Sequence, residues 1–139
     1  VSFSPRPFQY RAQFGFSSEF INGKFAAGAH PDCDLWVKVP DSAEALEISF
    51  GLREETYENP ASATDGVEFS VTAIAADGTE SPLFQRLLDP AHQAADRGQL
   101  FHQLTLPTPR PDTLRFSARP GPNANYAFDW AYWGDVEIH

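Results

Sequence analysis

Apolar residues alternate with polar ones in four separate segments of the chain. From Val67 to Ala73 every second side chain is apolar, and the same spacing of apolar residues recurs over residues 35–39, 46–52 and 114–118. A period of two places alternate side chains on opposite faces of an extended strand, so that one face can be buried. The pattern therefore predicts four half-buried β-strands.

Asp-Gly pairs mark both ends of the clearest of these segments. Asp65-Gly66 precedes Val67, and Asp77-Gly78 comes before a further apolar run over residues 83–88. Glycine supplies the positive φ that tight hairpin turns require, and aspartate tolerates it. These pairs predict that the segment at Val67 continues into an antiparallel neighbour.

The remaining sequence predicts more strands and little helix. Residues 100–106 and 126–138 are further strand candidates, residues 120–125 contain two prolines and can only form a loop, and residues 89–97 allow at most one helical turn. About eight short strands separated by turns are typical of a two-sheet antiparallel β-sandwich. We therefore expect an all-β sandwich of the jelly-roll type, formed by residues 1–139 as a single domain.

Composition and charge narrow the possible partners. The chain is 42% hydrophobic and 21% charged, as in a soluble globular domain, and carries a net charge of −9. An acidic surface repels phosphate groups and anionic lipid, so we expect no nucleic acid partner. No stretch approaches the roughly 18 apolar residues of a membrane span, so we expect no membrane insertion. Because the chain begins at Val1 and has no methionine, we expect it to be a processed or excised piece of a longer protein.

The single cysteine lies between two aspartates. Cys33 has no second cysteine with which to form a disulfide, and the flanking Asp32 and Asp34 disfavour its thiolate form. The sequence therefore predicts an unreactive thiol. His30 is nearby, but the spacing matches no tight zinc motif, so a metal site here is the less favoured interpretation.

Several short strings resemble a known family of modules. The strings are Gly28-Ala29-His30-Pro31, Asp65-Gly66-Val67-Glu68-Phe69, Leu88-Asp89-Pro90, Ala95-Asp96-Arg97-Gly98, Pro120-Gly121-Pro122 and Asp129-Trp130-Ala131. From about residue 28 to the C-terminus, the chain resembles the carbohydrate-binding modules first noticed beside family 98 glycoside hydrolases, which are galactose-binding-like jelly rolls. Residues 1–27 are not covered. The resemblance implies a non-catalytic appendage of a larger secreted, periplasmic or cell-surface bacterial protein, covalently attached to other domains.

Aromatic and planar polar side chains are concentrated near the C-terminus. Sugar sites use flat aromatic faces against C–H groups, together with a few polar side chains that reach hydroxyls. The candidate ligand-binding residues of this region are Asn125, Tyr126, Asp129 and Trp133. Two alternatives remain open: each tryptophan can belong to the core, and Asp129 can pair with a backbone N–H or an arginine.

A second loop offers Arg97 as a ligand-binding candidate. Its guanidinium can hold a carboxylate or vicinal hydroxyls, but a local ion pair with Asp96 or Asp129 is an equal alternative. The resemblance also implies a structural calcium ion. Asp135 and Glu137, near the C-terminal strand, are the candidate ligands for it.

Three functions remain open at this point. The favoured one is a carbohydrate-binding accessory module with a polysaccharide or glycan ligand. The alternative is a protein-interaction or structural spacer domain without a sugar ligand. A small hydrolase is disfavoured, because the sequence holds no nucleophile elbow, metalloprotease helix or phosphate-binding glycine loop.

Overall fold

The chain is described by a computed structural model. It describes residues 2–3, 9–12, 18–21, 24–29, 31–53, 66–121 and 131–138. Side chains are described for residues 28–29, 31–53, 66–121 and 131–134, and the other described residues contribute backbone pairing alone.

Eleven strands run through the described residues. The first four are β1 (Ser2–Phe3), β2 (Gln9–Ala12), β3 (Ser18–Ile21) and β4 (Lys24–Gly28). The next seven are β5 (Cys33–Lys38), β6 (Ala45–Leu52), β7 (Val67–Ile74), β8 (Glu80–Leu88), β9 (Leu100–Thr105), β10 (Thr113–Pro120) and β11 (Ala131–Ile138). One turn of 3₁₀ helix (Ala94–Asp96) lies between β8 and β9.

The strands form two antiparallel sheets. The six-stranded sheet has the order β3-β4-β11-β6-β9, with β1 also pairing with β11, and the five-stranded sheet has the order β2-β5-β10-β7-β8. The predicted all-β class and two-sheet antiparallel arrangement are confirmed. The seven long strands β5 to β11 correspond to the expected number of about eight, and the additional strands β1 to β4, two to five residues long, are too short to display a period of two.

The core lies between the inner faces of the two sheets. Along β7 buried and half-buried residues alternate strictly, as the sequence predicts. Trp133 of β11 occupies the centre, and its ring centroid lies 5.8, 5.2 and 5.1 Å from those of Phe50, Phe69 and Phe116. The contacts with Phe69 and Phe116 are edge-to-face, the favoured geometry for aromatic pairs. These rings join the two sheets across the sandwich.

The turn between β7 and β8 follows the predicted Asp-Gly chemistry. Gly78 has a φ of +90°, and its N–H donates to the Ala75 carbonyl at 2.9 Å. The backbone N–H of Thr79 donates to the Asp77 carboxylate at 2.9 Å, and this bond lowers the pKa of Asp77. The hairpin prediction is therefore confirmed.

One end of the sandwich gathers the longest connections between the sheets, and we call it the loop end. In the five-stranded sheet Pro120 is paired with Val67, which is paired with Leu88, and in the six-stranded sheet Ala131 is paired with Leu52. The β6–β7 and β10–β11 connections start and finish at these residues, and the β8–β9 connection runs from Leu88 to Leu100, which is paired with Phe50 near the end of β6. No helix in the described part of the chain is long and apolar enough to cross a membrane.

Candidate ligand-binding site

The β8–β9 loop at the loop end is built around a buried carboxylate. Asp96, in the 3₁₀ turn, accepts a hydrogen bond from the Asp89 backbone N–H at 2.9 Å and pairs with the Arg86 guanidinium at 2.7 Å. The Asp89 carbonyl in turn accepts bonds from the N–H groups of His92 and Gln93. A charged acceptor that holds both ends of a short loop orders it, because charge-assisted bonds are the stronger ones.

Arg97 leaves this ordered loop with an exposed side chain. Its Nε donates to the Pro90 carbonyl at 2.7 Å, which fixes the stem of the side chain against the loop. The sequence offered Asp96 as one ion-pair partner for Arg97, and the structure pairs the Asp96 carboxylate with Arg86. The side chain of Arg97 is exposed at the loop end, and the other partner that the sequence offered, Asp129, lies outside the described residues.

A second polar cluster lies at the same end, on the outer side of the five-stranded sheet. Asp34 of β5 is fully buried, and it accepts bonds from the Ser117 hydroxyl at 2.6 Å and from one Arg119 guanidinium nitrogen at 2.8 and 3.0 Å. Another Arg119 nitrogen donates to the Cys33 carbonyl at 3.1 Å. Because so many of its donors point at the protein, Arg119 acts as a strut between β5 and β10.

Cys33 faces the core from the same strand. Burial raises the pKa of the Cys33 thiol from 9.0 to about 11, with a further rise from Asp34 that Arg119 opposes. The predicted unreactive thiol agrees with this placement. Desolvation, which the sequence did not reveal, contributes more than the neighbouring carboxylate.

Trp133 requires a correction. The sequence names it as a ligand-binding residue, but its side chain is 0% exposed and packs among three phenylalanines. Its indole N–H has no hydrogen-bond partner among the described residues. Alternation along β11 explains the placement, because Ala131 and Trp133 point into the core and Tyr132 points to the outer face. A ring in this position has no face to offer a sugar.

Three of the predicted binding residues lie outside the described part of the chain. They are Asn125, Tyr126 and Asp129, which fall between the end of β10 and the start of β11. The end of β10 and the start of β11 both lie at the loop end, and so do the two ends of the β8–β9 loop, which contains Arg97. The topology thus joins the two predicted loops to one end of the sandwich.

The predicted calcium ligands are described in their backbone only. Asp135 lies at an irregularity in the β6–β11 pairing, and Glu137 lies opposite Glu47 of β6. Among the side chains that the structure describes, no group of three histidine, cysteine, aspartate or glutamate residues is arranged to hold a metal ion. The calcium site stays a prediction.

Sequence reasoning missed the residues that order this end. Asp34 stands at an outward position of its strand, between inward Cys33 and Leu35, and a carboxylate there gives no sign of full burial. Asp96 was noticed only as a neighbour of Arg97. The usable signal was an aspartate seven residues after the aspartate of the Asp-Pro pair, in a loop that needs an acceptor for its backbone N–H groups.

Comparison with known sequences gives a distant relative. No known protein family has a sequence profile that matches the chain. An uncharacterised protein of Archaeoglobus fulgidus is 32% identical over 104 residues, which are 73% of this chain and 25% of that protein. The chain therefore spans about a quarter of the length of this relative.

Comparison with solved structures gives a clear fold. The CBM51 module from Clostridium perfringens GH95, solved in complex with methyl-galactose, matches with a TM-score of 0.60 at 14% identity, over 100% of this chain and 92% of that module. The CBM22-1 xylan-binding domain of Xyn10C from Paenibacillus barcinonensis matches with a TM-score of 0.50 at 12% identity, over 99% and 92%.

These likenesses establish the fold. The predicted similarity to galactose-binding-like carbohydrate-binding modules is confirmed at that level, since structures of CBM51 and CBM22 modules share this chain's architecture over nearly its whole length. The link to the modules found beside family 98 glycoside hydrolases stays a prediction. A shared fold does not by itself carry a function, which has to be argued from the site.

Proposed function

We propose that this chain is a non-catalytic carbohydrate-binding module of a longer secreted or cell-surface protein, and that it binds a glycan at the loop end. The observation that carries the proposal is the match of the whole chain to a module solved with a bound sugar. The length of the archaeal relative, four times that of the matched segment, supports attachment to other domains.

Among the described side chains we propose Arg97 as the contact with the glycan, because it is exposed at the loop end. A guanidinium offers planar, paired N–H donors, and adjacent sugar hydroxyls present acceptors at a matching spacing. The Nε bond to the Pro90 carbonyl holds the side chain in one orientation, which lowers the entropy lost on binding. Asn125, Tyr126 and Asp129 would supply amide, aromatic and carboxylate contacts from the neighbouring connection.

The charge of the chain favours a neutral glycan. A net charge of −9 on 139 residues repels sulfated or uronate-rich polysaccharides as well as nucleic acid and anionic lipid. Within one Debye length, about 8 Å at physiological salt, this repulsion is only partly screened. The proposed ligand class is therefore a neutral oligosaccharide or polysaccharide.

A structural calcium ion forms a separate part of the proposal. The proposed ligands are Asp135, at the irregularity in the β6–β11 pairing, and Glu137, two residues further along the same strand. Carboxylate oxygens are ligands that calcium prefers in proteins. A rise in the thermal unfolding midpoint with calcium, reversed by chelator, is the expected result, and an unchanged midpoint would contradict it.

Binding at the loop end is tested by a glycan array followed by calorimetry. We expect a neutral glycan to bind wild type, and Arg97→Ala to bind at least tenfold more weakly without loss of folding. Arg110→Ala is the matched control, because Arg110 lies in the β9–β10 loop at the opposite end, where it donates to the Asp41 carbonyl. A folded protein that binds no neutral glycan, or equal losses in both variants, would overturn the proposal.

A protein-interaction or spacer domain is the second candidate. Phe101 on β9 is 75% exposed, and β9 is an edge strand whose sequence Leu-Phe-His-Gln-Leu-Thr contains no charge and no proline. The edge of the five-stranded sheet, β8, carries Pro82 and charged residues that discourage pairing with another strand. Concentration-dependent association that Phe101→Lys abolishes would favour this second function.

A further inference from the structure

Two glycines on neighbouring strands lie beneath the end of the β8–β9 loop. A Cβ added to Gly51 of β6 would lie 2.6 Å from the Gly98 carbonyl oxygen and 2.7 Å from the Tyr132 hydroxyl. A Cβ added to Gly134 of β11 would overlap the Ser49 Oγ and would lie 2.9 Å from the Gln99 Nε2. Both positions are therefore occupied by the loop and by the side chains that receive it.

Neither glycine is required by backbone conformation. Positive φ values occur at Gly66, Gly78 and Gly98, whereas Gly51 and Gly134 lie within strands and have none, although Gly134 falls at the irregularity in the β6–β11 pairing. An alanine would fit the backbone at either position. What the glycines provide is space on the outer face of the six-stranded sheet.

Gln99 fills part of that space. Its Nε2 donates to the Ser49 hydroxyl at 3.0 Å, and Ser49 is buried although it lies on the outer face of β6. The side chain of Gln99, which directly precedes β9, thus crosses over β6, and its amide comes close to β11 at Gly134. We call this contact of Gln99, Ser49 and Gly134 the glutamine latch.

The latch lies two residues from Arg97. Gly98, with a φ of +79°, turns the chain between them, so the position of Arg97 depends on where residues 98 and 99 are anchored. Asp96 holds the other side of the loop through Asp89 and Arg86. The loop is therefore fixed on both sides of its exposed arginine.

We propose that Gln99 is a positioning residue for glycan binding, which acts by anchoring the Arg97 loop across Ser49 and Gly134. The proposal rests on the function proposed above. In this proposal the latch does not contact the sugar and acts only by orienting Arg97. The loop would then be ordered before the glycan binds, and less conformational entropy would be lost on binding.

The first test compares Gln99, the residue directly before β9, with Gln103, four residues further along the chain in β9. Gln99→Ala removes the hydrogen bond of the latch. Gln103→Ala removes an exposed side chain from the residue of β9 that lies opposite Glu47 of β6. We expect glycan affinity to fall about fivefold in Gln99→Ala, as for the loss of one neutral hydrogen bond, and to stay at the wild-type value in Gln103→Ala. Equal affinities in the two variants would overturn the proposal.

The second test separates positioning from stability. Gly134→Ala should lower both the unfolding midpoint and the affinity, because the new methyl group displaces the Ser49 hydroxyl and Gln99. Adding Ser49→Ala removes the closest clash and should restore much of the midpoint, but it also removes the acceptor of Gln99, so the affinity should remain low. Affinity that recovers together with the midpoint would show a merely structural role.

Hydrogen exchange of the free protein keeps the latch testable if no glycan is found. In Gln99→Ala the loop amides of Gln93, Asp96 and Arg97 should exchange about fivefold faster, while those of β7 stay unchanged. Unchanged loop exchange would refute the latch itself. Faster exchange without any glycan binding would instead place the failure in the proposed function.

Discussion

Two carboxylate–arginine pairs stand at the loop end, and they differ in what they connect. Asp34 and Arg119 join β5 to β10, 85 residues apart in sequence, and the carboxylate is fully buried. Asp96 and Arg86 join the β8–β9 loop to the end of β8, ten residues apart, and the arginine is partly exposed. Both are pairs of an aspartate with an arginine, but the first connects residues far apart in sequence and the second connects residues within one short segment.

The difference separates stability from local order. Breaking the Asp34–Arg119 pair leaves a buried charge between β5 and β10, which lowers the free energy of unfolding of the whole sandwich. Breaking the second pair releases a loop that can open without unfolding the sheets, since proteins open locally in cooperative units. One pair therefore supports the fold, and the other prepares the proposed binding surface.

The largest expected effect is that of Arg119→Met on the sandwich. Removal of the guanidinium leaves Asp34 buried beside Ser117, and we expect the free energy of unfolding at pH 7 to fall by about 3 kcal/mol. Urea denaturation followed by tryptophan fluorescence measures it. Arg115→Met is the control, because Arg115 lies on the same face of the same strand but pairs with exposed Glu80. Equal losses in the two variants would remove the distinction between buried and exposed pairs.

A smaller and local effect is expected of Asp96→Asn. The amide cannot replace the charge that holds both the Asp89 N–H and Arg86, so we expect a loss of about 1 kcal/mol in stability together with faster exchange of the loop amides. Asp77→Asn, in the turn at the opposite end, should leave loop exchange unchanged. Loop exchange as slow as in wild type would show that Asp96 does not order the loop.

The smallest effect appears only in alkali and concerns Cys33. The folded protein keeps the thiol proton up to a pKa of about 11, whereas the unfolded chain releases it near 9.0. The free energy of unfolding should therefore fall between pH 9 and 11 more steeply in wild type than in Cys33→Ala. Parallel curves would mean that the thiol titrates normally. In Arg119→Met the pKa of Cys33 should rise further, since Arg119 lowers it.

The seven long strands were predictable because their information is local. Alternation over residues 46–52 and 67–73 reports which face of a strand is buried, and Asp77-Gly78 reports where the chain turns. Three of the short strands, β1, β2 and β4, pair with the distant strands β5 and β11, and this pairing has no counterpart in their own sequences. The fourth, β3, pairs with its neighbour β4 but is only four residues long.

The candidate site was predictable only in part. Arg97 stays a predicted ligand contact, and the structure shows its side chain to be exposed. Trp133 was assigned to the ligand although its alternation with Tyr132 left the choice of face open. A single strand cannot say which of its faces meets the other sheet. The roles of Asp34 and Gln99 depend on partners 83 and 50 residues away, which no local pattern reveals.

The most direct test of the account is a titration of the ¹⁵N-labelled protein with the neutral glycan that binds best on an array, followed by amide chemical shifts. The account predicts saturable changes concentrated in residues 89–99 and in the connection between β10 and β11, with Gly78 and Arg110 at the opposite end unaffected. Changes confined to β9 around Phe101, or no changes with any neutral glycan, would contradict it.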